Sequence, residues 1–256
     1  MSKLFNFIFY IFIKIKNKYF FDYTWEGKYL SIDECNLDKS ESNPSAIDYY
    51  NKATKKFFGP KDIEVVGRHK ILPALVSNLD GDSLNILDFG GSSNPAISYL
   101  IKTCKQNFLS TVIETKFFVE RFQNKIPENY KNILQYEHSF KDLKFDLFDI
   151  CYFGGAIQYI ENYDEVLTKV FNSKIKYIII TETCFNYTDQ DFFVSTISNN
   201  PQYLATRFFS YNKFMKLFKE NNFKCIFENK RSSKNHRHRT LDYSEYNFFD
   251  FIFIKN

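Results

Sequence analysis

From residue 85 onward, short apolar runs alternate with longer stretches whose apolar residues recur every three or four positions. The runs NILDF (85–89), LSTVIE (109–114), NILQYE (132–137), FDICYF (148–153), IKYIIITE (175–182), FKCIFE (223–228) and FFDFIFI (248–254) predict strands. Residues 95–106, 116–124, 162–172 and 211–221 between them predict helices. Such alternation argues for a parallel sheet covered on both faces. The last two strands are joined by a polar loop, NKRSSKNHRHRTLDYSEY (229–246), with no helix. A parallel crossover usually carries a helix, so these two strands are expected to pair antiparallel. The expected class is α/β, with a sheet of about seven strands ending in an antiparallel C-terminal hairpin.

Upstream the pattern differs. Residues 46–58 read as a helix, and 62–79 as a second, with Ile71, Leu72, Leu75, Val76 and Leu79 on one face. The rest of 19–60 is polar-aromatic and loop-like, and DKSESNPS (38–45) has the composition of an exposed linker. The expected organisation is an apolar and basic segment (1–20), a helical extension (21–84) and a sheet domain (85–256). Residues 4–15, LFNFIFYIFIKI, are the most hydrophobic stretch. They fall short of the roughly twenty residues a spanning helix needs. Lys14, Lys16 and Lys18 follow the run rather than precede it, unlike a secretory signal. Two readings stay open for 4–18: a helix packed on the domain, or an interfacial helix with its lysines at lipid headgroups.

The chain holds 31 Phe, 18 Tyr and 1 Trp among 256 residues. That exceeds the needs of a core, and either an A/T-rich coding sequence or a pocket or partner surface accounts for it. The net charge of +4 is too small to imply nucleic acid as a partner. Cys35, Cys104, Cys151, Cys184 and Cys225 are odd in number and scattered, which argues against a disulfide framework or a zinc site and for a reducing compartment. The expected location is cytoplasmic, or peripheral at the inner face of a membrane if 4–18 touches lipid.

NILDFGGSSNPAISYL (85–100) carries the chemistry. A strand stops, the chain reverses tightly, and a ligand can approach bare backbone. Gly90 and Gly91 give that freedom, Ser92 is small, and Asn94 tolerates left-handed backbone. Asp88, at the strand end, either anchors the loop or binds a polar ligand group. A tight loop with no ligand is the bland alternative. Glu114 ends the next strand, where a carboxylate can accept hydrogen bonds from both ribose hydroxyls of an adenosyl ligand.

LDFGGSSNP, then VIE, then FDICYFGGAIQYIENYDEVL resembles a class I S-adenosylmethionine-dependent methyltransferase with a Rossmann-like sheet. More narrowly, the chain is similar to a family of bacterial methyltransferases often found in surface-polysaccharide gene regions. That family has a Trp-x-Gly-x-Tyr element, here Trp25, Gly27 and Tyr29, and a stretch after the fourth strand that here reads Gly154, Gly155, Ala156, Ile157, Gln158, Tyr159, Ile160. Two departures stand out. Asn94 replaces a third glycine, and Thr181, Glu182, Thr183 replace an Asp-Arg-Thr-like ending of the fifth strand.

The resemblance implies S-adenosyl-L-methionine as cofactor and O-methylation of a sugar or other small molecule. It places Gly90, Gly91 and Ser92 against the methionine part, with Asp88 near its amino group. It places Glu114 on the ribose, and Tyr136, Glu137 and His138 beside the adenine. Gly154, Gly155 and Gln158 would form the floor by the reactive methyl. An oxygen acceptor gains from a general base, for which His138 and Glu182 are the candidates. RSSKNHRHR (231–239) is the densest cationic stretch, either a solvated loop or an anion cradle in which Arg231, Arg237 and Arg239 hold an acceptor's phosphate. His236 and His238 have no Cys or His partner at ligand spacing, so no metal is expected. A non-catalytic scaffold of an envelope-polysaccharide complex is the main alternative. A nicotinamide oxidoreductase is the weaker one, since the glycines are not spaced G-x-G-x-x-G and such sheets usually lack the terminal hairpin. Nothing in the sequence sets the oligomeric state.

Overall fold

The computed structural model describes residues 23–35, 67–92, 94–198, 203–231, 236–238 and 245–256. The segment 4–18, the linker 38–45, the helix expected over 46–58 and Arg239 lie outside the described residues.

All seven anticipated strands are present. They are β2 (Ser83–Phe89), β3 (Asn107–Ile113), β4 (Leu134–Glu137), β5 (Ile150–Gly154), β6 (Tyr177–Asn186), β9 (Phe223–Arg231) and β11 (Tyr246–Lys255). β2 pairs parallel with β3 and β5, β3 with β4, and β5 with β6. β11 runs antiparallel to both β6 and β9, so the expected terminal hairpin closes this edge. The flanking helices are α1 (Ile71–Val76), α2 (Ile97–Thr103), α3 (Lys116–Phe122), α4 (Tyr163–Phe171) and α5 (Tyr211–Glu220).

Strand side chains alternate between faces, and here the two faces feed two cores. Leu87, Phe89, Cys151, Phe153, Ile178, Ile180, Phe251 and Phe253 meet Val166, Leu167 and Val170 of α4 and Phe214 and Phe218 of α5. Their neighbours Ile86, Ile150, Tyr152, Ile179 and Ile252 point the other way, against Leu72, Val76, Ile97, Leu100 and Val119. Burial on both faces explains why the strands read as unbroken apolar runs. It also takes up much of the aromatic excess: Phe185 alone packs edge-on against Phe214, Phe249 and Phe251. Ser210 caps α5 by accepting from the Lys213 N–H, and left-handed Asn222 (φ 62°) follows its last turn.

A second sheet was not anticipated. Residues 19–60 were expected to be loop-like, yet β1 (Tyr23–Tyr29) is a strand. The extension expected to be helical over 21–84 thus contributes, among its described residues, one strand, two 3-10 turns and α1. β7 (Phe192–Ser198) and β8 (Tyr203–Ser210) form an antiparallel pair, β1 joins β7, and β10 (His236–His238) joins β1 in parallel. This sheet fuses with the main one where Phe209 and Ser210 pair with Phe185 and Asn186. Trp25 pins it, with its ring 4.9 Å from Phe208 and 5.6 Å from Tyr246. Among the described residues no helix is long and apolar enough to cross a membrane, and no group of three or more His, Cys, Asp or Glu could hold a metal.

Candidate cofactor and acceptor site

β2, β3 and β5 stop at one rim, and the loops that follow them build the site. After Phe89 the backbone turns through Gly90 (φ 71°) and Ser92 (φ 51°), and the Asn94 N–H donates to the Gly91 carbonyl. A side chain at Gly90 would strike Ala156, 2.4 Å from its Cβ. Glycine at 90 therefore serves the packing of the β2 loop on the β5 loop. A bulky residue there would part the two loops before it reached any ligand.

Asp88 is fully buried, and its Oδ2 accepts from the Ala96 N–H at 2.8 Å. That is the anchoring role, yet Oδ1 has no partner. Burial raises its carboxyl to about 7, against the pull of the Ala96 N–H and of Arg68. Glu114, at the end of β3, turns toward the same loop. Its Oε2 accepts from the Thr115 N–H at 3.1 Å, and burial raises it to about 7 while the Thr115 and Ser92 backbone groups hold it down. Tyr136, expected beside the adenine, lies in β4. It is buried, and its hydroxyl donates to the Ser92 carbonyl at 2.9 Å, so it braces the glycine loop. Glu137 is half-buried, and its carbonyl accepts from the Glu114 N–H, so the ends of β3 and β4 lie level.

At the end of β5, Gly155 takes φ 71° and its N–H reaches the carbonyls of Phe153 and Thr181. Gln158 is buried, and its Nε2 donates to the carbonyls of Gly155 and Glu182 at 3.1 and 3.2 Å. Glu182 itself sits at φ 50°. Across from it β11 shifts register between Phe249 and Phe251, so Thr181 and Glu182 together face Asp250. Such a bulge re-aims a side chain. The Glu182 N–H donates to Asp250 Oδ1 at 2.9 Å, and Oε1 pairs with Arg231 at 2.5 Å.

The two candidate bases are not brought together. His138 is exposed just past β4, and β4 lies four strand positions from β6 in the sheet order. At about 4.8 Å per strand that is about 19 Å, too far for both to serve one reacting atom. Glu182 is the one beside Gly155, with Oε2 3.8 Å from where a Cβ at 155 would sit. Of the arginines expected to cradle an anion, Arg231 is the one whose side chain lies among the described residues. Arg231 is engaged by Glu182 and, through Nε at 3.6 Å, by Asp250. The Arg237 backbone belongs to β10, paired with Thr24.

Arg68 and His69, just before α1, escaped the sequence reading. The Arg68 Nη1 donates to the Gly154 carbonyl at 3.4 Å, and its Nε donates to His69 Nε2 at 3.2 Å. Burial and the Arg68 charge hold His69 well below its ordinary pKa, hence neutral. With Nε2 accepting, the proton sits on Nδ1 and is donated to Tyr152 Oη at 2.8 Å, whose own proton goes to the Arg68 carbonyl at 2.8 Å. This ring of hydrogen bonds fixes one guanidinium at the rim, near Asp88 and Glu114. The contacts span more than eighty residues, so no local spacing announces them.

Four buried acceptors of this rim have no partner among the described residues: Asp88 Oδ1, Ser92 Oγ, Asn94 Oδ1 and Gln158 Oε1. Unsatisfied buried acceptors cost of order 1–3 kcal/mol each. Clustered on one rim, they fit a ligand rich in N–H and O–H donors. A separate cavity of about 700 Å³, lined by Tyr163, Asp191, Phe209, Lys213 and Leu217 among others, includes none of these residues.

The parallel sheet with its antiparallel terminal hairpin is the fold of class I S-adenosylmethionine-dependent methyltransferases. Solved structures share it at low sequence identity. The N-terminal domain of EvdMO1, determined in the presence of S-adenosylhomocysteine and D-fucose, is 9% identical, with 82% of this chain and 97% of that chain covered and a TM-score of 0.55. A putative S-adenosylmethionine-dependent methyltransferase from Listeria monocytogenes is 12% identical, over 74% of this chain and 98% of that one, with a TM-score of 0.50. The cyclase SpnF is 10% identical, over 72% and 79%, with a TM-score of 0.52. No family model and no curated protein matches the chain.

Proposed function

We propose that this chain is an S-adenosylmethionine-dependent methyltransferase acting on a sugar or other small molecule in surface-polysaccharide biosynthesis. The observation that carries the cofactor reading is the set of unpartnered buried acceptors at Asp88, Ser92 and Asn94, on the rim where open α/β sheets bind ligands. The acceptor class rests on the family resemblance of the sequence.

In this reading Glu114 receives the ribose hydroxyls, and Asp88 Oδ1 and Asn94 Oδ1 face the ammonium of the methionine part. Arg68, locked by His69 and Tyr152, offers its guanidinium to the carboxylate. When bound, the cofactor supplies an activated methyl group, so the protein's task is alignment. Orientation of an acceptor can supply several kcal/mol of a barrier. Gly155 and Gln158 form the floor on which that alignment takes place. SpnF, a cyclase on this fold, favours a second reading in which the rim binds the cofactor without transferring its methyl, because fold alone does not fix chemistry.

Thermal shift tests the cofactor. S-adenosylhomocysteine is expected to raise the melting temperature by mass action and NADH to leave it unchanged. Stabilisation by NADH alone would overturn the proposal. Release of labelled methyl to an acceptor would then separate the enzyme from the non-catalytic reading.

A further inference from the structure

The expected phosphate cradle meets the main sheet at Arg231, in a place rich in carboxylate. Arg231 is its one side chain described at the main sheet, and two carboxylates hold it: Glu182 at 2.5 Å and buried Asp250 at 3.6 Å. Asn229 donates to Asp250 at 3.0 Å and completes the strut. Among the described side chains, one guanidinium between two carboxylates leaves a deficit of positive charge at Glu182, within β6. Glu182 uses only Oε1 in this pairing, and no described residue bonds its Oε2, which lies beside Gly155. Buried Gln158, whose Nε2 donates to the Gly155 carbonyl, has an Oε1 that is also unpartnered. Two acceptors without a described partner therefore belong to residues beside Gly155, and they call for a group that donates hydrogen bonds.

We infer that the methyl acceptor presents an uncharged hydroxyl, not a phosphate, to Glu182 and Gln158, and that Arg231 and Asp250 are positioning residues that aim Glu182. The inference rests on the methyltransferase reading above. For a hydroxyl acceptor the balance is complete. The acceptor oxygen forms its bond to the methyl carbon, the carbon–sulfur bond breaks with its electron pair going to sulfur, and the hydroxyl proton passes to Glu182 Oε2 and on to water. The bulge makes this possible: a regular β6 would turn the carboxylate away from Gly155, and the Asp250 contact to the Glu182 N–H holds the left-handed backbone that keeps it there.

Two measurements on the full chain test it. Inorganic phosphate, compared with chloride at equal ionic strength, is expected to leave the melting temperature unchanged. A rise that Arg231→Gln abolishes would show an anion site and overturn the inference. In the second, methyl-labelled S-adenosylmethionine is offered to neutral hexoses and, separately, to hexose phosphates and nucleoside-diphosphate sugars. Label is expected in the first group only. Glu182→Gln, which keeps shape and backbone, should lower transfer at least tenfold while S-adenosylhomocysteine affinity changes less than twofold. Arg231→Gln should lower kcat with little change in KM, and Arg231→Lys should restore part of it. Label only in the phosphorylated group, transfer indifferent to Glu182→Gln, or no label anywhere although S-adenosylhomocysteine binds would each overturn the inference. Failure to bind S-adenosylhomocysteine would instead overturn the functional reading beneath it.

Discussion

Asp88 and Glu114 set the electrostatics of the rim. Both carboxyls are raised to about 7 by burial, against about 4 in an unfolded chain. Between those two values the unfolded chain has released protons that the folded chain still holds. Stability is therefore expected to fall as pH rises from about 4 to about 7 and to level off above. Melting curves of the ligand-free chain should show that decline, and Asp88→Asn should flatten it. A melting temperature that rose across the interval would contradict the burial of these groups. Tyr136→Phe removes the brace on the Ser92 carbonyl and should cost about 1 kcal/mol in a denaturant titration. The strand-end positions of Asp88 and Glu114 were legible because strand ends in an alternating pattern are easy to place. Arg68 and Tyr136 were not, since their roles depend on contacts across 86 and 44 residues.

The elements that position the site include two residues in unfavourable backbone. Ser92 (φ 51°) and Glu182 (φ 50°) both occupy the left-handed region, which costs a non-glycine residue about 1–2 kcal/mol. Ser92→Gly should accordingly stabilise the free protein by about 1 kcal/mol, read from the midpoint of urea unfolding. Loss of stability would mean that the serine side chain is worth more to the loop than its strain costs. The parallel strands were read with little error because burial on both faces gives unbroken apolar runs. The pair β7 and β8 was missed between the strand ending at 182 and the helix starting at 211. Its signal was present in the β-branched and aromatic residues of FFVSTIS and the aromatic residues of YLATRFFS. A loop of that length without structure was itself a reason to look for strands. The bulge at Glu182 left no trace in the sequence beyond the absence of a glycine.

At the scale of the molecule, the second sheet is tied to the first by β8 against β6 and by Arg207, whose Nη2 donates to the Glu161 carbonyl beside the β5 loop. Trp25, the single tryptophan of the chain, lies buried in that sheet. Its fluorescence should therefore report the second sheet while far-ultraviolet circular dichroism reports the whole, and the two denaturation curves should coincide. Separate transitions would show that the sheets melt independently. Trp25→Ala should cost about 3–5 kcal/mol through the loss of contacts with Phe208 and Tyr246.

The central claim is that the rim at the ends of β2, β3 and β5 holds an adenosyl cofactor. Isothermal titration of the full chain with S-adenosylhomocysteine tests it most directly. The account predicts one site per chain, with affinity reduced at least tenfold by Glu114→Gln and by Arg68→Gln. Absence of binding heat, or equal affinity in all three proteins, would contradict it.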